Sequence, residues 1–199
     1  MFEYENVFYL KRCNEEVKEQ IKNMLILHNR EFIPPLSKRY KNGIDGYFDY
    51  VLDSSAIIVK NIKGEVIAFL TYKVTDEELY IKTILVSKKY RNKDIETKLY
   101  EMVLEVNNRK VRIKSWSTNT DQIKILKKLG FVEEKIIKND REINVDTIYF
   151  VKNWFILYKL YKYFCLFLTK YALFSTKSLN SLKNLLTYFF ICVIIDIDL

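Results

Sequence analysis

The stretch KKYRNKDIETKL (88–99) brings together residue types that could hold a phosphate. It follows an apolar strand-like run, ILVS, and leads into an amphipathic helical pattern, so a basic turn opens a helix. Unpaired amides at such a helix start, backed by Lys88, Lys89, Arg91, Lys93 and Lys98, form an anion seat. Two features oppose that reading. The turn has no glycine to let the backbone approach an anion closely, and Asp94 and Glu96 stand where the anion would come nearest. Two unit charges ~6 Å apart near a protein surface repel by roughly 2–3 kcal/mol before screening, about one to two decades of affinity. Asp94 as a helix cap and Glu96 in the first turn would also stabilise the helix with no ligand present. Both readings stand: a turn that binds a phosphate, or one whose anion seat is occupied by its own carboxylates.

Other chemistry-bearing residues are few. Glu77, Glu78 and Tyr80, on or near the strand before the turn, are candidate bases, and a solvent-facing strand position is their plain alternative. His28, the sole histidine, closes an amphipathic helix and reads as packing as readily as catalysis. With one histidine and three scattered cysteines (Cys13, Cys165, Cys192) no metal site is expected, and the cysteines suit free thiols in a reducing compartment. The net charge of +8 favours acidic partners, but no run of five or six basic residues marks a nucleic-acid arm, and no nucleic acid is expected. The start, MFEYENVFYL, lacks the basic residues and apolar run of a signal peptide, so a cytoplasmic location is expected.

The elements that must position these residues follow from periodicity. VFYLKR (7–12) alternates as a first strand. Asn14 caps a helix whose face carries Val17, Ile21, Met24, Leu25 and His28, ended by Pro34-Pro35. A further helix lies around Asp45 to Leu52. AIIVKN (56–61) and EVIAFLTYKV (65–74) form a hairpin about Lys63-Gly64, and LYIKTILVS (79–87) is the next strand. The helix after the turn carries Ile95, Leu99, Met102, Val103 and Val106. VRIKSWS (111–117) is a strand, Asn119 or Thr120 opens a helix that Gly130 ends, and VEEKIIK (132–138) with INVDTIYFVK (143–152) forms a final hairpin around NDRE. The expected architecture is a mixed, largely antiparallel twisted α/β sheet with helices on both faces, closing near residue 152.

With this element order, ILVSKKYRNKDIETKL and STNTDQIKILKKLGF resemble two blocks of the GNAT superfamily of N-acyltransferases. In the first, Val86, Tyr90, Arg91, Ile95 and Leu99 are in step; in the second, Asn119 opens a helix that ends in Gly130-Phe131. The resemblance spans roughly residues 1–152. It implies transfer of an acetyl group from acetyl-coenzyme A to the amine of a small molecule, sugar or peptide. Main-chain groups at Ile84, Leu85 and Val86 would pair with the pantetheine arm, and amides of Arg91, Asn92, Lys93, Asp94, Ile95 and Glu96 would hold the diphosphate. Asn119 would face the cofactor, with Glu78 and Tyr80 as acid–base candidates. The chain departs from the family pattern at Asp94 and Glu96, where small residues are usual, and at Leu126, where a thiolate-protonating tyrosine is frequent. The alternative is a non-catalytic module of the same fold, kept for binding and tethered to a membrane or partner by its C-terminal helix.

After Lys152 the composition shifts. Residues 153–199 read as an apolar, Lys-striped helical extension: on a helical wheel Lys152, Lys159, Lys162, Lys170 and Lys177 fall within about 80° of one another beside a broad apolar face. That pattern suits a helix on a membrane surface, a packed or oligomeric helix, or an apolar tail without function.

Overall fold

The computed structural model describes residues 2–105 and 109–153. Seven strands form a single sheet in the order β1-β2-β3-β4-β5-β7-β6. They are β1 (Glu3–Val7), β2 (Ser55–Lys60), β3 (Val66–Val74), β4 (Glu78–Val86), β5 (Lys110–Trp116), β6 (Val132–Glu142) and β7 (Val145–Lys152). Only the β4–β5 pair is parallel. The expected mixed, largely antiparallel sheet with helices on both faces is therefore present.

Residues 56–59 of β2 are all fully buried, which requires cover on both faces of the sheet. One face carries α1 (Glu15–Leu27), the short α2 (Leu36–Arg39) and α3 (Gly43–Leu52). Helix α1 starts where Asn14 accepts the Val17 amide at 2.9 Å. Its Val17, Ile21, Met24 and Leu25 then pack with Leu36, Tyr47 and Val51 over Ala56, Ile58 and Phe69. The other face carries α4 (Ile95–Glu105) and α5 (Thr120–Lys128), with Leu99, Tyr100, Val103 and Leu126 buried beneath them. Helix α5 ends as expected: Gly130 takes φ +80°, its amide bonds the Lys127 carbonyl at 3.0 Å and the Phe131 amide bonds that of Leu126 at 3.0 Å.

Two boundaries differ from the sequence reading. The first strand is residues 3–7, pairing Glu3 with Lys60 through Val7 with Ala56, and residues 10–12 form a 3-10 turn. Leu10 is fully buried and its amide meets the Ser54 carbonyl at 2.8 Å, so the apolar residues of 7–12 mark a turn that plugs the core. The last hairpin turns at Ile143-Asn144, and β6 runs on to Glu142, carrying Arg141 inward to 9% exposure. NDRE is thus strand, bulged against β7 between Ile137 and Glu142. Among the described residues no helix is long and apolar enough to cross a membrane. The appendage reading falls on residues 154–199, outside those described.

Candidate active site

The site begins as a defect in the sheet. Parallel pairing of β4 with β5 runs only from Glu78 opposite Lys110 to Ile81 opposite Ile113. Against β3, Ile81 pairs with Tyr72 but Thr83 pairs with Thr71, so Lys82 is an extra residue on β4. Such a bulge bends its strand, and β4 leaves β5 at this point. Meanwhile β5 remains bound to β7 as far as Trp116 opposite Thr147. The Ser87 amide donates to the Ile67 carbonyl at 2.9 Å, which turns alternate residues Val86 and Ile84 toward the gap. The Val86 carbonyl there accepts from Arg91 Nε at 3.0 Å.

A cavity of about 240 Å³ passes through this gap. Successive residues of β5 face opposite sides, so its two ends differ. On the α4–α5 side it is lined by Glu96, Asn119 and Gln122; on the α1–α3 side by Phe32, Tyr47 and Trp116.

The basic turn sits at the first of these ends. Asn92 and Asp94 take φ 58° and 55°, the left-handed conformation usually left to glycine. Asn and Asp are the side chains that tolerate it best, so the turn keeps a glycine-like path without glycine. Asp94 stands in the cap position before α4, left-handed where a cap is usually extended, and its side chain is exposed to solvent. Helix α4 makes its first backbone bond from the Lys98 amide to the Asp94 carbonyl, 2.9 Å. Among the described residues no protein acceptor meets the amides from Asn92 to Thr97. They border a cleft of about 330 Å³ that Lys124 and Lys128 of α5 flank, together with Asp94, Glu96 and Asp121.

Glu96 differs from Asp94. It lies partly buried between both cavities. Burial, with the charge of Asp121, pushes its carboxyl up to about 7 against the pull of Arg91 and a hydrogen bond from Tyr100. A buried network continues from there. Gln122 Nε2 donates to the Tyr100 hydroxyl at 2.9 Å, and Gln122 Oε1 accepts from Ser115 and, at 3.0 Å, from Asn119 Nδ2. Asn119 is thereby fixed at the cleft wall.

The turn is tied to α1 from the other side. Arg91 meets Glu31 at 2.5 Å, Lys88 meets it at 3.2 Å, and His28 Nδ1 lies 2.8 Å from Glu31 Oε1. Burial resists ionisation of Glu31, but bonds from His28, Arg91 and Lys88 outweigh it and hold the carboxyl at about 2. His28 is 1% exposed and does not line the cleft, so it braces the turn from within the core.

The gap wall therefore gathers Ile84, Leu85, Val86, Arg91, Glu96 and Asn119, with Asn92, Asp94 and Ile95 at its mouth. Lys93 lines neither cavity; its Nζ lies 5.4 Å from the Tyr90 ring centroid. Glu78 is kept at the closed end of the β4–β5 pair, 3.2 Å from Arg112. Tyr80, opposite Arg112, shares a face with Lys114 but does not line the cleft. Its hydroxyl is raised by burial and then by Tyr50 and Tyr149, making it a proton donor and not a base at neutral pH. Leu126 is fully buried core. Sequence reasoning missed Tyr100, Gln122 and the lining cations Arg39, Lys114 and Arg141. Gln122, three residues beyond Asn119 on one helical face, was the one with a local signal.

The family model described as Acetyltransferase (GNAT) family matches residues 21–131 of the 199, and the chain belongs to that family. Among solved structures, the ribosomal-protein-S18-alanine N-acetyltransferase from Escherichia coli superposes with TM-score 0.61 at 16% identity, over 76% of this chain and 92% of that one. Arabidopsis thaliana NAA60 with a bisubstrate analogue gives 0.58 at 19%, over 76% and 97%. An aminoglycoside 6'-N-acetyltransferase complexed with coenzyme A gives 0.57 at 14%, over 77% and 97%. At these identities the likeness establishes the fold. No curated protein sequence matches the chain.

Proposed function

We propose that the protein is an N-acetyltransferase that takes the acetyl group from acetyl-coenzyme A and passes it to an amine. The observation that carries this reading is the row of amides from Asn92 to Thr97, which meet no acceptor among the described residues, at the mouth of a cleft beside the edge of β4 that leaves β5. A diphosphate suits the amides, and an amide-bearing arm can pair with Ile84 and Val86 like an added strand. Family membership and a coenzyme A-bound neighbour point to the same donor.

In the reaction the neutral acceptor amine attacks the thioester carbonyl, a C–N bond forms, the C–S bond breaks, the nitrogen loses its proton and the thiolate gains one. Asn119, held by Gln122, would orient the arm or its sulfur. Leu126 has no proton to donate. The hydroxyls at the cleft wall are those of Tyr47 and Thr83, 2.5 Å apart. Tyr80 is assigned to the acceptor face, and the acyltransferase unit to residues 1–152. The second reading, a non-catalytic binding module, draws on the carboxylates at the mouth and on Leu126.

Thermal unfolding with acetyl-coenzyme A and with desulfo-coenzyme A tests both. Ligand at about a hundred times Kd adds roughly 2.7 kcal/mol, a rise in Tm of several degrees. No rise with either ligand in folded protein overturns the cofactor assignment. A rise without thiol release to any amine supports the binding module instead.

A further inference from the structure

The acceptor end of the cleft carries three cations and only one nearby carboxylate, Asp140, which forms an ion pair with none of them among the described residues. Arg39 ends α2, Lys114 lies on β5 and Arg141 on β6, and all three line the same cavity. Neither the Arg39 nor the Lys114 side chain has an ion pair or hydrogen bond among the described residues. Arg141 is buried with neutral partners. Its Nε donates to Thr147 Oγ1 at 2.7 Å, its Nη1 to the Ile33 carbonyl at 3.1 Å, and its guanidinium lies 5.8 Å from the Trp116 ring centroid. Its neighbour Asp140 accepts the Thr147 hydroxyl at 2.6 Å. The cations also sense one another. Burial and then Arg39 and Arg141 lower the Lys114 ammonium to about 8, and burial and then Arg39 lower Arg141, while Asp140 pulls both the other way.

The charges in the cleft are sorted. Of its acids, Glu96 and Asp121 belong to α4 and α5, and Glu31, just after α1, is already paired with Arg91 and Lys88. Lys82 is occupied as well, donating to the carbonyls of Tyr50 at 2.8 Å and Asp53 at 3.0 Å. Three partly desolvated cations against one carboxylate, Asp140, leave excess positive charge, and an anion among them would gain charge-assisted hydrogen bonds, bidentate at an arginine. Trp116, Phe32 and Tyr47 beside them exclude water and strengthen that attraction.

We infer that the acceptor is a small amine bearing its own carboxylate or phosphate, held by Arg39, Lys114 and Arg141 with its amine turned into the gap between β4 and β5. This rests on the acetyltransferase reading and narrows it. It accounts for three elements far apart in the chain placing like charges in one small space.

The test uses the full-length protein, first titrated with acetyl-coenzyme A. Acetyl transfer is then followed by thiol release on matched amines, β-alanine against β-alaninamide and O-phosphoethanolamine against ethanolamine. The anionic member of at least one pair is expected to show a kcat/KM ten or more times that of its neutral partner, and the better pair identifies carboxylate or phosphate. Arg39→Gln, on a short surface helix, should raise KM for the anionic amine about tenfold while leaving acetyl-coenzyme A affinity and the neutral amine's KM unchanged. Lys114→Gln is the second variant and should act in the same direction. Equal or better use of the neutral members, or no transfer to any of the four by protein that binds acetyl-coenzyme A and acetylates another amine, overturns the inference alone. Failure to bind acetyl-coenzyme A overturns the function beneath it.

Discussion

Asp94 and Glu96 share a charge type and lie two residues apart, yet they meet different solvents. Asp94 points to water and serves the turn through its tolerance of φ 55°. Glu96 points into the site and is held near 7, above its ordinary 4.5, so the native state binds more protons than the unfolded chain between those values. Stability therefore declines as pH rises through that window, and the penalty is complete above it. Glu96→Gln is expected to stabilise the protein by about 1–3 kcal/mol at pH 8 and to lose that advantage toward pH 4.5, read by denaturant unfolding. Removing the charge should also tighten coenzyme A binding at pH 8 by roughly tenfold. An identical gain at both pH values would place the carboxyl in water.

At the level of elements, α4, α5 and β5 are joined by one buried chain of polar groups from Glu96 through Tyr100 and Gln122 to Ser115 and Asn119. Tyr100→Phe removes a hydroxyl at its centre and leaves Gln122 Nε2 and the Glu96 carboxyl short of a partner. A loss of about 1–3 kcal/mol in unfolding free energy is expected, with weaker acetyl-coenzyme A binding because Asn119 loses its brace. A stability change below about 0.5 kcal/mol would mean that water replaces the hydroxyl. The second joint, His28–Glu31–Arg91, fixes the basic turn to α1 across 60 residues of sequence. Arg91 read as a phosphate ligand from its place in the turn; the structure shows it also spending its guanidinium on Glu31 and the Val86 carbonyl.

Taken as a whole, the molecule is a sheet that a ligand can complete. Ile84 and Val86 present their amides to the gap, while Leu85 turns its own toward β3. Hydrogen exchange on the free protein should find Ile84 and Val86 fast and Leu85 slow, and acetyl-coenzyme A should slow the first two with little effect on the third. Uniform protection of all three before ligand is added would mean the gap is closed in solution.

Much of this was legible along the chain. Period-two and helical patterns located the strands and helices, because each buries a face whose spacing is set by its own backbone. The turn at 88–96, Asn119 and Gly130 announced themselves through local chemistry that acts within a few residues. NDRE misled because a bulged strand ending carries the same polar residues as a turn. The width of the gap was not local at all, since it depends on one extra residue, Lys82, in the pairing of β4 with β3. Nor was the meeting of Arg39, Lys114 and Arg141, which only the packing of α2 and the last hairpin over β5 brings about. Sequence by itself determined the elements, the resemblance to the family and the basic turn that opens α4, because propensity, capping and periodicity are short-range. Tertiary structure alone decided which carboxylate is desolvated, which arginine is committed and where the cations converge, because burial and Coulomb interaction depend on distance in space.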